Sequence, residues 1–312
     1  MSDMKLISWP GNKRRQLDQL LQYVPDNLSA EAAICEPFFG TGAFTLALLE
    51  NTTGPVFAAE ANCPLRNWWQ WMFERPADMV EIMASYRQEF AAAGVDRDVF
   101  NALRDGWNQL NRERPTCSNA AGMLWVLIYQ STNNLARFNQ KGEYNQTWGK
   151  GRKVPDPAQV FTAPVLQRIA QLADAVKRGC FAADFRDVLD LFMEYDREGV
   201  CYLDPPYILE TGTYQTDCWG PRELRDLMEW VEALEKAGCW WMWTDYMRNA
   251  DKRHPYEQTL KQHFRIMPFV RNHDSRPKGK ADRKEEALIL GSVVEEPQYQ
   301  ETQLSLEAAD AD

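Results

Sequence analysis

Residues 32–60 constrain the fold more than any other stretch of the chain. Ala32 to Cys35 reads as a short apolar strand. Glu36-Pro37-Phe38-Phe39-Gly40-Thr41-Gly42 follows, then a helical run from Ala43 to Glu50. A second strand, Val56 to Ala59, ends in Glu60. Strand, glycine-rich turn, helix, strand and acid in this order form a βαβ unit, whose crossover is right-handed. The chain is therefore expected to be an α/β protein with a doubly wound, mostly parallel sheet.

The remaining pattern fits such a sheet with one insertion. Leu65–Phe73, Met79–Ala93, Val99–Leu110 and Ala120–Tyr129 carry repeating apolar faces and no strand-like alternation, which predicts an inserted helical lobe. Ser131–Val154 is polar, basic and rich in Gly and Asn, and a loop of that length inside a compact chain is usually functional or disordered. Helices are expected over Pro164–Val176, Arg186–Tyr195, Pro221–Lys236 and His254–His263. Strands are expected near Arg178–Ala182, over Val200–Leu203 and Cys239–Thr244, and as a final pair, Phe264–Val270 and Ala287–Val294. The expected division is a catalytic core from residues 1–75 and 160–295, a target-recognition lobe at 76–159, and an acidic tail at 296–312.

Three strand ends carry chemistry. Val200–Leu203 runs into Asp204-Pro205-Pro206-Tyr207. The two prolines fix φ, offer no N–H, and bias their predecessors toward extended backbone. A carboxylate, a free carbonyl and a ring face at one strand end can grip a flat molecule bearing an NH2 group. Phe39-Gly40-Thr41-Gly42 lets a ligand approach the backbone at a helix N-terminus. It is neither a dinucleotide fingerprint nor a P-loop, since Thr45 stands where a third Gly would and no Gly-Lys-Ser/Thr follows. Glu60 ends the next strand, where an acid can hold ribose hydroxyls.

Charge and composition narrow the partners. The net charge is −10, yet residues 285–312 hold eight acids and no Lys or Arg, so the rest of the chain is near neutral. Residues 137–153 carry five bases against one acid, and residues 265–284 seven against two. Two basic islands on a near-neutral body suit a DNA binder with a local footprint. Seven Cys without a Cys-x-x-Cys pair argue for reduced thiols and against a zinc site, and three His supply a metal or triad mechanism poorly. The start of the chain does not read as a signal peptide and no run of 18 apolar residues occurs, so a cytoplasmic location is expected.

The ordered set of motifs resembles the Dam-like (D12, alpha) group of S-adenosylmethionine-dependent DNA adenine-N6 methyltransferases. The carriers are Trp9 to Lys13, the Phe-x-Gly-x-Gly turn, Glu60, the late Asp-Pro-Pro-Tyr, and a loop of the form Asn133-x-x-x-Arg137-Phe138-Asn139-x-x-Gly142-Glu143-Tyr144-Asn145. The resemblance spans about residues 5–292. It implies that Trp9 and Lys13 close on S-adenosylmethionine. Glu36 would meet the methionyl amino group, with Phe39, Gly40 and Gly42 forming the turn beneath. Glu60, usually Asp in the group, would bind ribose, and Asp184 and Phe185 would flank the cofactor adenine. Asp204, Pro205, Pro206 and Tyr207 would be the catalytic tetrapeptide, with Asp204 also at the cofactor. Glu286 matches the group's C-terminal hairpin.

Double-stranded DNA is the implied partner, and no metal is implied. Arg137, Lys150, Arg152 and Lys153 suit phosphates, while Asn133 and Asn139 suit either base reading or bracing of the loop. Thr132 and Asn134 stand where the group usually has an aromatic and a Gly, so a GATC target does not carry over, although adenine does. Adenine in a duplex must be flipped out to react, at a cost on the order of a few kcal/mol. The alternatives are methylation of RNA adenine or protein glutamine, and a catalytically silent protein that binds DNA or the sliding clamp. Glutamine methylases usually carry Asn-Pro-Pro-Tyr, which Asp204 opposes. In the tail, Gln303-Leu304-Ser305-Leu306 resembles a peptide that binds the replication sliding clamp, without its usual final aromatic.

Overall fold

The computed structural model describes residues 5–195, 198–209, 219–269, 284–295 and 297. The expected clamp peptide at 303–306, the rest of the acidic tail apart from Pro297, and most of the second basic island lie outside the described residues.

The N-terminal segment leads through a 3₁₀ turn, Arg14–Gln16, into α1 (Leu17–Leu21). Then come β1 (Ile34–Glu36), α2 (Ala43–Leu48) and β2 (Val56–Ala59). Four helices follow in succession: α3 (Cys63–Glu74), α4 (Pro76–Ala92), α5 (Arg97–Glu113) and α6 (Ser118–Gln130). After the long loop come α7 (Pro157–Val160), α8 (Ala163–Arg178), β3 (Cys180–Ala182), α9 (Phe185–Tyr195) and β4 (Val200–Leu203). The chain continues with α10 (Pro221–Ala237), β5 (Trp240–Asn249), β6 (Lys252–Arg253), α11 (Glu257–His263), β7 (Arg265–Pro268) and β8 (Lys284–Leu290).

The strands form one sheet in the order β3-β2-β1-β4-β5-β8-β7, with β6 paired to β5. From β3 to β5 all neighbours are parallel, while β8 is antiparallel to both β5 and β7. Side chains alternate across the sheet as the pleat requires. Ile34, Val56, Val200, Tyr202 and Met242 enter one core with α1, α2, α3 and α8. Cys35, Phe57, Cys201, Leu203 and Trp243 enter the other with α9, α10 and α11. Burial on both faces explains why the strands read as unbroken apolar runs. The sheet is thus the doubly wound, mostly parallel one expected.

Helix α6 is buried around its whole circumference from Ala120 to Gln130, with α3, α4 and α5 packed against it. A helix apolar on every side needs such a jacket. Its core is continuous with the α3 side of the sheet through Trp68, Trp69 and Trp125.

Several element bounds differ from expectation. Strand β5 runs five residues past Thr244, because Asp245–Asn249 pairs with β8 and β6 even though the apolar run has stopped. Strand β8 starts at Lys284 and ends at Leu290, not at Val294. A Cβ on Gly291 would lie 2.6 Å from the Trp241 indole nitrogen, and Val294 donates back to the Gly291 carbonyl in a turn. Helix α11 begins at Glu257, since His254–Tyr256 forms a turn in which the Tyr256 N–H donates to His254 Nδ1. The short helix α7, capped by Asp156, was not anticipated.

Candidate active site

In a parallel sheet the strand ends share an edge, and the order here reverses between β1 and β4. Ligands of open α/β sheets bind at such a switch point. A cavity of about 480 Å³ opens there, within the range of small-molecule sites. It gathers Glu36 from the end of β1, Glu60 after β2, Asp184 and Phe185 after β3, and Asp204 to Tyr207 after β4. Trp9 and Lys13 close it from the N-terminal segment, and Phe39 and Gly40 form part of its floor. All the residues expected at the cofactor or the chemistry line this cavity, except Gly42.

At the β4 end, the Asp204 carboxylate accepts from Lys13 Nζ at 2.6 Å and from the Thr244 hydroxyl at 2.8 Å, both on Oδ1. Thr244 is in turn within 3.1 Å of the Tyr202 hydroxyl. Burial pushes the Asp204 carboxyl up, against the pull of Lys13 and Thr244. Lys13 Nζ also lies 4.9 Å from the centre of the Tyr207 ring, a cation–π distance. The Tyr207 hydroxyl donates to Glu286 Oε1 at 2.5 Å, and its ring meets Tyr246 edge-on at 4.6 Å. Thr244 and Tyr246 were missed because both sit on β5, remote in sequence and reached only through the sheet.

The glycine turn is shaped by backbone geometry. Gly40 and Gly42 have φ of 50° and 62°, the left-handed region that favours glycine. A Cβ on Gly42 would fall 2.4 Å from the Phe39 ring, so Gly42 supports the floor from beneath. Beside Gly40 there is open space. The Gly40 N–H donates to Glu60 Oε2 at 3.0 Å, and its carbonyl accepts from Trp69 Nε1 at 2.8 Å. Glu60 Oε1 accepts from the Asn62 N–H at 2.7 Å. Burial pushes Glu60 up to about 7, despite these two amides. Glu36 takes the N–H and hydroxyl of Thr45, at 3.0 and 2.5 Å, and burial pushes it up to about 8. Two buried acids thus flank a turn whose backbone is open at Gly40, and acids raised by burial inside a cavity mark a functional site.

At the β3 end, Phe185 stacks on Phe38 at 5.2 Å, and Trp219 meets both rings edge-on. Phe38 opens the glycine turn but was given no role at the cavity, and Trp219, outside any strand-end motif, was not anticipated. The Asp184 carboxylate is paired with Arg186, which also reaches Asp226 and lies over the Phe185 ring. Asp184 therefore approaches the cavity already engaged.

The loop after α6 is tied down at several points. Isolated antiparallel bridges join Ser131 to Trp148 and Phe138 to Tyr144. Asn108 on α5 accepts the Tyr144 N–H at 2.7 Å and donates to its carbonyl at 3.1 Å. The buried Tyr144 hydroxyl lies 2.7 Å from that of Ser131. Asn139 braces the tip: its Oδ1 accepts from Lys141 and Glu143 amides, and its Nδ2 donates to Glu143. Asn133, Arg137, Lys150, Arg152 and Lys153 are exposed, and Asn133 has φ of 60°. Thr132 is tied to Thr147 and Trp148. Ala136 and Phe138 reach the cavity itself, with Phe138 beside Trp9 at 6.2 Å.

A family model of D12 class N6 adenine-specific DNA methyltransferases matches residues 9–259. The chain belongs to that family. Among curated relatives, the type II methyltransferase M.MjaIII of Methanocaldococcus jannaschii is 26% identical over 209 residues, covering 64% of this chain and 68% of that protein. The DNA adenine methylase of Escherichia coli is 23% identical, covering 73% and 75%. The modification methylase LlaI of Lactococcus lactis is 24% identical over 79% of this chain, which spans only 37% of that longer protein. The matched region contains the glycine turn, Glu60, the loop and the Asp204 tetrapeptide. The sheet order agrees with a methyltransferase core of the Rossmann type.

Proposed function

We propose that the chain transfers the methyl group of S-adenosylmethionine to the N6 amino group of a flipped-out adenine in duplex DNA. The observation that carries this reading is the convergence of the Asp204 carboxylate and the Tyr207 ring on one ammonium, that of Lys13. A group able to accept from nitrogen lies beside a ring face, at the edge of a cavity large enough for a cofactor.

The residues fit the cofactor. The glycine turn leaves backbone open to it, Glu60 suits ribose hydroxyls, Glu36 suits its amino group, and Phe185 with Asp184 suits its adenine. Trp9 and Lys13 close the cavity over it. Bound there, S-adenosylmethionine supplies an electrophilic methyl group. The protein's part is to prepare the nitrogen. An adenine amino group is a poor nucleophile because its lone pair is delocalised into the ring. Asp204 and the Pro205 carbonyl accept its two hydrogens, favour a pyramidal nitrogen and stabilise the charge that develops. Pro206 holds the tetrapeptide extended, and Tyr207 stacks on the base. Losing such a preorganised acceptor typically costs ~10²–10³ in rate.

Residues 76–159 serve as the target-recognition lobe on a core of residues 1–75 and 160–295. Arg137, Lys150, Arg152 and Lys153 hold phosphates, Asn133 reads a base, and Asn139 shapes the loop that presents them. Incubation with labelled S-adenosylmethionine and duplex DNA, RNA or protein tests the reading. Label is expected in DNA as N6-methyladenine. Label in RNA or protein alone would overturn it.

A further inference from the structure

Glu286 is a buried acid with no place in the chemistry so far. It lies on β8, directly opposite Tyr246 of β5 in the antiparallel register, and its Oε1 accepts the Tyr207 hydroxyl at 2.5 Å. Tyr246 in turn holds the Tyr207 ring edge-on at 4.6 Å. Tyr207 follows two prolines and precedes a turn, so no helix or ladder fixes its ring. The hydroxyl bond to Glu286 and the edge contact with Tyr246 set the ring plane from the far side of the sheet's switch from parallel to antiparallel. A hydroxyl bond to a carboxylate is short and about twice as strong as a neutral one.

We propose that Glu286 is a positioning residue for the target base: it fixes the ring plane of Tyr207. This rests on the reading of Tyr207 as the ring that stacks on adenine. Glu286 acts from β8, while the ring it governs lies just beyond the end of β4. The antiparallel end of the sheet is thereby coupled to the methyl-accepting site. Its charge raises the Asp204 carboxyl, together with burial, and Lys13 and Thr244 oppose it. Among the described residues, the other ionisable groups facing Asp204 include Glu36 on β1, Tyr202 on β4, Tyr207 just beyond it and Asp245 on β5.

The test is a double-mutant cycle of Tyr207→Phe and Glu286→Ala, read by single-turnover methyl transfer to a duplex bearing the mapped target. Each single variant is expected to be about tenfold slower or more, with an unchanged dissociation constant for S-adenosylmethionine. The double variant should be no slower than the slower single, because both remove one bond. Fluorescence of 2-aminopurine at the target position should change in both, since the flipped base stacks on a loosened ring. Glu286→Gln keeps an acceptor for the Tyr207 hydroxyl, so it should retain most of the rate that Glu286→Ala loses. Tyr207→Phe and Glu286→Gln are nearly isosteric and carry the test if Glu286→Ala does not fold. Full rate in Tyr207→Phe, losses that multiply in the double variant, or a Glu286→Gln as slow as Glu286→Ala would overturn the inference. A wild-type protein that methylates no adenine would instead remove the reading beneath it.

Discussion

Lys13 places its ammonium 2.6 Å from the Asp204 carboxylate and 4.9 Å from the centre of the Tyr207 ring. The contact joins residues 191 positions apart and closes the N-terminal segment onto the end of β4. It also holds the Asp204 carboxyl down against the effect of burial. Replacing Lys13 by Met removes that pull, so the Asp204 carboxyl rises further. The acid limb of the pH–rate profile should then move to higher pH. Single-turnover rates from pH 5 to 9 check this, and an unmoved limb contradicts it.

Glu36 and Glu60 make the free protein sensitive to alkali. Both have an ordinary value of 4.5 and are raised by burial, to about 8 and about 7. Each folded-state value lies above the unfolded one, so the folded chain binds more protons between them. Their contribution to stability is therefore full below pH 4.5 and is lost as pH rises toward 7 and 8. The unfolding midpoint of the free protein should fall across that window. Glu36→Gln, which keeps an acceptor for Thr45, should flatten the fall when measured by thermal unfolding at several pH values.

Much of this was legible locally and some was not. Glu60, Asp204 and the glycine turn announce themselves because strand ends in a parallel sheet share one edge, so a pattern local in sequence becomes a site in space. Glu286 could be matched only to a hairpin, and its contact with Tyr207 depends on the register of β8 on β5, which no local pattern encodes. Thr244 looked like the last residue of an apolar strand, yet its hydroxyl is a ligand of Asp204. The polar stretch 245–249 hid the continuation of β5. Asn139 was open between reading bases and bracing, and its side chain makes three hydrogen bonds within the loop, which favours bracing.

The two glycines of the turn should differ in their response to substitution. Gly42→Ala puts a Cβ 2.4 Å from a Phe39 ring carbon at a φ of 62°, whereas at Gly40, with φ of 50°, nothing lies within 4 Å. Gly42→Ala is expected to cost ~1–3 kcal/mol from overpacking, on top of about 1 kcal/mol of backbone strain. Gly40→Ala should cost only the strain. Denaturant unfolding of the two variants measures the gap, and equal losses would contradict the packing account.

The exposed cations of the loop should act through phosphate charge. Arg137→Gln and Lys150→Gln should each weaken DNA binding and lower the slope of log affinity against log salt by about one. Cofactor affinity should be unchanged in both. Binding isotherms at several salt concentrations read the slope directly.

The central claim is that Asp204 prepares an adenine nitrogen to accept a methyl group, and Asp204→Ala tests it most directly. The variant, with wild-type beside it, is mixed with S-adenosylmethionine and duplex DNA, and N6-methyladenine is counted by mass spectrometry of the digested product. Transfer reduced by about 10² or more, with DNA binding largely retained, is the predicted result. N6-methyladenine formed by Asp204→Ala at the wild-type rate would contradict the account.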